Sequence, residues 1–220
     1  MGAVASSLLS PGNALGLQFP WSLYPVLLLS CSGGLRRIIY AFGLGYGLCM
    51  LEAGIVTSGE VARGGFTSTW SSFANGLYAC YGLRLFVFLL RRQSSEAYNA
   101  SEHGKSLNAK MDTTPLPIKA AVCVGVSITQ LATFCALQPL AFAQAPPRVG
   151  WLGLWTSMSG LVLESMADEQ KLAAKAQHPN APVMTGLYSI VRHPNYLGEI
   201  LFWLGIVTAT QVALPLSASP

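Results

Sequence analysis

The stretch "AAVCVGVSITQLATFCALQPLAFAQAPP" at residues 120–147 contains no Asp, Glu, Lys or Arg. Three further runs share this property, at residues 1–35, 64–83 and 200–220. A transmembrane helix needs about 20 consecutive, mostly apolar residues, and each run is long enough. Only 10% of the 220 residues are charged, against about 25% in soluble domains. The sequence therefore predicts an integral membrane protein.

Six apolar segments predict the fold class, an all-α, polytopic transmembrane helix bundle that forms a single membrane domain over residues 1–220. The segments lie at residues 17–35, 38–57, 67–90, 118–142, 149–167 and 194–214. Pro20 and Pro25 interrupt the first segment, and proline in a helix interior removes a backbone hydrogen bond. Whether this segment spans the membrane stays open at this point.

Basic residues in the loops predict the orientation. Loops on one side of the predicted bundle hold ten Lys and Arg residues, and loops on the other side hold two. By the positive-inside rule, the richer side faces the cytosol, or the stroma or matrix of an organelle. The membrane is expected to be the endoplasmic reticulum or that of a plastid or mitochondrion. The largest basic connection, at residues 91–117, is predicted to be a polar, solvated loop rather than a site.

Two classes of partner are not expected. The net charge is only +4, and no basic stripe with interleaved aromatic residues is present, so we predict no nucleic-acid partner. The five cysteines form neither a CxxC pair nor a His/Cys cluster with zinc-binding spacing, so we predict no metal site. The expected partners are membrane lipid and a hydrophobic small molecule.

Polar residues concentrate where the last apolar segment begins, in "GLYSIVRHPNYLGEILFWLGI" at residues 186–206. Pro194 suits the first turn of a helix, because its missing N–H would lack an intrahelical partner in any case. A helix N-terminus attracts phosphate, and Arg192 and His193 would add positive charge. Asn195 and Glu199 are four residues apart and would share one helix face.

A second polar face is predicted just before this motif. Glu164, Asp168 and Lys175 recur at helical spacing, and Lys171 extends the pattern past the membrane edge. Both faces flank one short loop. A ligand with an anionic end and a polar, partly aromatic head group would fit between them, so residues 160–206 are the predicted binding region.

Three motifs, in the same order, resemble the steroid 5-alpha-reductase superfamily. Residues 186–206 are similar to the signature Arg-His-Pro-Asn-Tyr-x-Gly-Glu of one membrane branch of that superfamily. "ADEQK" at residues 167–171 resembles the branch's Ala-Asp-x-Gln-Lys, and "YGLRLFVFLLRR" at residues 81–92 resembles its Trp-Gly-Leu-Arg-Leu segment. The resemblance covers about residues 80–206.

The resemblance implies a membrane oxidoreductase that uses NADPH to reduce a C=C bond in a sterol-like or isoprenoid-like substrate. It gives no catalytic residue. The cofactor contacts that it implies are Asp168, Lys171, Lys175, Arg192, His193, Asn195, Tyr196 and Glu199. Members of the family continue with another apolar segment and a basic, aromatic tail that helps to enclose the cofactor. The present sequence ends at Pro220, and a pocket without that tail would be open on one side.

Two other functions remain as alternatives. Membrane methyltransferases that use S-adenosylmethionine have a similar Arg-His-Pro-x-Tyr helix start, but Asn195 stands where they usually have Met, Ser or Gly. A reductase-like fold could instead serve as a non-catalytic subunit of a larger membrane complex, because Gly- and Ala-rich helices make good packing surfaces.

Two charged residues inside apolar segments also allow alternatives. Arg84 is expected either to extend its side chain to the interface or to pair with a carboxylate of a neighbouring helix. Glu52 is expected either to polarise a substrate or to pair with Arg84.

Overall fold

The computed structural model describes residues 23–63, 69–142 and 148–217, and within these ranges the chain is helical with no strand. This confirms the predicted all-α class. Helix α1 is Tyr24–Cys31, and a 3₁₀ turn extends it over Ser32–Leu35. The apolar helical run Tyr24–Leu35 is shorter than a full span, and residues 17–22 of this predicted segment lie outside the described ranges.

Three helices in the described ranges are long and apolar enough to cross a membrane. Their candidate spans are Ile38–Gly59, Thr69–Ser94 and Leu116–Cys135. Helix α2 contains the first span. It begins as Ile38–Tyr40, widens to a π-helix over Ala41–Gly45 and continues as Tyr46–Arg63. Helix α3 is Thr69–Ser94. The chain is thus an integral membrane protein.

The connection after α3, predicted to be a polar, solvated loop at residues 91–117, contains two further helices. Helix α4 is Glu96–Ala100 and helix α5 is Glu102–Asp112. Each directly follows a serine whose side-chain oxygen accepts a hydrogen bond from a backbone N–H in the first turn, which is the usual role of a helix N-cap. These two caps turn a polar stretch into ordered helices beside the bundle.

Helix α6 is Leu116–Phe142, α7 is Arg148–Gln177 and α8 is Pro194–Ser217. Helix α8 begins at the predicted Pro194, and the N–H of Leu197 donates to the carbonyl of His193 (3.1 Å). Helix α7 continues well past the apolar stretch 149–167. Its last third carries the polar side chains of Asp168, Lys171 and Lys175.

Glycines allow α7 and α8 to pack backbone against backbone. A Cβ on Gly198 would lie only 2.5 Å from the backbone nitrogen of Glu164. The Ser157 hydroxyl reaches across the same interface and donates to the Phe202 carbonyl (2.8 Å). This close approach fixes the register of the two helices, and with it the relative position of their polar ends.

A second pair of helices, α2 and α3, is also packed closely through glycines. A Cβ on Gly82 would lie 2.5 Å from the backbone nitrogen of Leu51. Aromatic side chains fill the space between the two pairs. Tyr81 stacks on Phe202 with ring centroids 3.9 Å apart, and Trp70 meets Trp151 edge to face at 5.3 Å. The core thus holds α3 against α7 and α8.

Candidate functional site

A cavity of about 560 Å³ lies where α3 ends, α8 begins and α7 leaves the apolar part of the bundle, with α4 and α5 beside it. Ligand pockets typically measure about 300–1,000 Å³. The cavity has an apolar wall that includes Leu85, Phe88 and Leu89 of α3. Charged and polar side chains from α3, α7 and α8 form the remainder of the lining.

Arg84 holds two carboxylates at the inner end of the cavity. Its Nη1 donates to Oε1 of Glu164 (2.7 Å), and its Nη2 donates to Oδ2 of Asp168. Both carboxylate side chains are about 7% exposed. A buried carboxylate without a partner is costly, and the guanidinium compensates two of them at once. Of the alternatives for Arg84, the structure shows the carboxylate pair.

Glu52 is not part of this network. Its Oε1 accepts a hydrogen bond from the Ser30 hydroxyl of α1 (2.6 Å). The proposed Glu52–Arg84 ion pair is therefore wrong. The reason is geometric, since the Arg84 side chain extends from α3 toward α7, while Glu52 lies against α1.

Three polar atoms in the cavity lining are buried and make no hydrogen bond to any described residue. They are Oε2 of Glu164, Oδ1 of Asn195 and Nε of Arg92. Buried polar atoms are nearly always paired with protein or ordered water. Two acceptors and one donor are thus available to a bound molecule at this position.

Three cations also line the same cavity. Arg92 lies over the rings of Phe88 and Tyr98, 6.0 and 5.4 Å from their centroids, and Lys171 and Lys175 line the cavity with it. Nζ of Lys175 also donates to two backbone carbonyls of the chain that follows α7, at 3.0 and 2.8 Å. Three cations that line one cavity can attract an anionic group.

Lys171 lies past the apolar stretch of α7, and its environment disfavours the charged form. Burial lowers the pKa of Lys171 below the ordinary value of 10.5. The Asp168 carboxylate opposes this shift, whereas the neighbouring Arg92 and Lys175 cations lower the pKa further. A bound anion would relieve this repulsion, because it would favour the protonated amine.

The structure brings six of the eight predicted cofactor residues into the cavity lining, namely Asp168, Lys171, Lys175, Asn195, Tyr196 and Glu199. Arg192 and His193 are exposed and lie outside this lining. The His193 ring stacks on Tyr196 at 5.3 Å. That any of the eight binds a cofactor stays a prediction.

Sequence reasoning missed two groups in the cavity. It used Arg92 for membrane orientation and as the end of the motif at residues 81–92, not as a cavity residue, and it assigned Tyr98 to a solvated loop. The available signal was the position of Arg92 on α3, eight residues after Arg84 and hence about two helical turns along. Tyr98 gave no such signal, because its position depends on the path of α4 back toward the bundle.

Together, the fold and cavity define an all-helical integral membrane protein with a charged pocket at one end of the bundle. Residues 61–218 match the family described as "Protein of unknown function (DUF1295)". This match covers more than half of the chain, so the protein belongs to that family, which is part of the steroid 5-alpha-reductase-like group. No curated protein and no solved structure matches the chain.

Proposed function

We propose that this protein is a membrane oxidoreductase that binds NADPH in the cavity and reduces a C=C bond of a hydrophobic, sterol-like or isoprenoid-like molecule. The observation that carries the proposal is that three cations and two buried acceptor oxygens without a partner among the described residues line one cavity. The finer resemblance, to the Arg-His-Pro-Asn-Tyr-x-Gly-Glu signature at residues 192–199, supports the same reductase class.

The residues fit an anionic dinucleotide with a polar head group. Arg92, Lys171 and Lys175 would hold phosphate, because each presents a positive charge to the same space. The unpaired oxygens of Glu164 and Asn195 would accept hydrogen bonds from amide or hydroxyl groups of the ligand. Together these contacts would orient the ligand without a glycine-rich dinucleotide turn.

NADPH, when bound, would supply the hydride for the reduction. The protein's part is to position both reactants and to exclude water. Leu85 and Leu89 come from a membrane-spanning helix and line the cavity. This apolar part of the lining favours a hydrophobic substrate over a polar one.

The orientation is part of the proposal. The cavity lies at the end of α3 that carries Arg91 and Arg92, on the side with most of the basic loop residues. By the positive-inside rule, it would face the cytosol, stroma or matrix, where NADPH is dissolved. The basic side and the charged cavity thus support the same placement.

The decisive experiment is NADPH titration of the full chain in lipid nanodiscs, followed by cofactor fluorescence. We expect saturable binding that Glu199→Gln and Glu164→Gln each weaken about tenfold or more, since a hydrogen bond to a charged group contributes roughly 1.5–3 kcal/mol. Glu169→Gln is the matched control, because Glu169 lies on α7 but pairs with exposed Arg91 outside the cavity.

S-adenosylmethionine serves as the competitor in the same titration. Saturable binding of S-adenosylmethionine without NADPH binding would replace the reductase with the methyltransferase alternative. A folded protein that binds neither compound would contradict both enzymatic proposals. It would leave the non-catalytic subunit, for which co-purification with a larger membrane complex at fixed stoichiometry is the test.

A further inference from the structure

Two buried thiols face each other between α1 and α2, away from the charged cavity. Sγ of Cys31 and Sγ of Cys49 are 3.8 Å apart, and the two residues are 0% and 1% exposed. Cys49 also donates its S–H to the Leu27 carbonyl (3.6 Å). Neither residue has a part in the proposed reduction.

A glycine explains why the two helices come so close at this position. A Cβ on Gly45 would lie 2.9 Å from Cα of Cys31. Because glycine has no Cβ, the end of α1 packs directly on the backbone of α2. The thiols are therefore brought together by the backbones and not only by flexible side chains.

We propose that Cys31 and Cys49 are a redox-active pair that forms an intramolecular disulfide. A disulfide has an S–S distance of about 2.05 Å, so the sulfurs must approach by about 1.8 Å from their separation of 3.8 Å. Rotation about the Cα–Cβ bonds supplies movement of this size. Disulfide formation requires no separation of α1 from α2.

The oxidant for this site belongs to the organic hydroperoxides. Both thiols are buried beside a membrane-spanning helix. An apolar oxidant such as a lipid hydroperoxide dissolves in the bilayer around that helix, whereas a charged oxidant does not. The sulfur of one thiol attacks the O–O bond while its proton passes to the leaving oxygen, which releases an alcohol and leaves a sulfenic acid. The second thiol then displaces water from that sulfenic acid. In sum, two thiols and one hydroperoxide give one disulfide, one alcohol and one water.

The disulfide would link α1 covalently to α2 beside an existing polar contact. Ser30 directly precedes Cys31 and donates its hydroxyl hydrogen to Glu52 of α2 (2.6 Å). Oxidation would therefore fix the position of α1 relative to Glu52 and close a short loop over residues 32–48. A loop closed in this way stabilises the folded state, chiefly by restricting the unfolded chain.

The test treats the full chain in lipid nanodiscs with cumene hydroperoxide, then denatures it and alkylates free thiols with N-ethylmaleimide. Intact mass then counts the adducts on the five cysteines. We expect five adducts before oxidation and three after it, with peptide mapping that links Cys31 to Cys49. The melting temperature should rise on oxidation and fall again with dithiothreitol.

Variants identify the pair. Each single variant has four cysteines. On oxidation, Cys123→Ser should still lose two N-ethylmaleimide adducts, whereas Cys49→Ser should keep all four. Cys123 is the demanding control because its Sγ lies 2.7 Å from the position that a Cβ on Gly34 would occupy, at the end of the same α1 segment. Five adducts on oxidised wild-type protein, or a peptide link that involves Cys123, would overturn the proposal without any variant having to fold. Neither result bears on NADPH binding.

Discussion

The helix pairs α2–α3 and α7–α8 are both packed closely through glycines, but the consequence of this packing differs between them. In both, glycines let one backbone approach another, at Gly82 in the first pair and Gly198 in the second. The interface at Gly82 places Leu51 and Met50 against the glycine, whereas the interface at Gly198 places Glu164 there. The same close packing supports an apolar contact in one pair and the position of a cavity carboxylate in the other.

Arg84 connects the two pairs and accounts for the difference between them. It belongs to α3, but its guanidinium neutralises Glu164 and Asp168 of α7. The α2–α3 pair therefore supplies a cation to the α7–α8 pair at the inner end of the cavity. Close helix packing thus sets the geometry, while one buried arginine determines where carboxylates are tolerated.

The largest change in stability is expected when the Arg84 guanidinium, which connects the two helix pairs, is removed. Arg84→Met should lower the free energy of unfolding by about 3–5 kcal/mol, because it leaves buried carboxylates without their counter-charge. Thermal unfolding in detergent measures the change. Arg91→Met removes an exposed pair with Glu169 and should cost at most about 1 kcal/mol. If both variants lost the same free energy of unfolding, the buried Arg84 network would stabilise the fold no more than the exposed Arg91 pair does.

The next prediction distinguishes the roles of the two helix pairs by one glycine substitution in each. Gly82→Ala and Gly198→Ala should each cost about 1–3 kcal/mol, because the added methyl group forces tightly packed backbones apart. Only Gly198→Ala should also weaken NADPH binding, since it displaces Glu164. Gly125→Ala is the control, as a Cβ there meets no described atom within 4 Å. NADPH affinity reduced equally by both interface variants would contradict the proposed division of roles.

The smallest effect concerns pH. Protonated Lys171 attracts phosphate, so NADPH affinity should fall as the pH rises through its lowered pKa, beginning below the ordinary value of 10.5. Bound phosphate raises that pKa, and binding in this window should take up a proton. Titrations at successive pH values measure the fall, which Lys171→Met should remove and Lys110→Met should leave unchanged. A fall that persists in Lys171→Met would assign the titration to another group.

Much of the site could be predicted from the sequence, because its residues lie on two helices and helical spacing places them on common faces. Asp168 and Lys175 on α7 and Asn195 and Glu199 on α8 follow this rule, and all four line the cavity. Arg192 did not follow it, because it precedes the first turn of α8. The direction of a side chain outside a helix depends on the local path of the chain and not on a period.

The sequence by itself determined the membrane class, the helical architecture and the start of α8 at Pro194. These depend on local properties, namely uncharged length, helical periodicity and the missing N–H of proline. Only the tertiary structure decided that Arg84 pairs with Glu164 and Asp168 rather than with Glu52. It also placed α4 and α5 beside the cavity and Cys31 against Cys49. These contacts join residues far apart in the chain, and their geometry depends on how closely glycines let the helices pack.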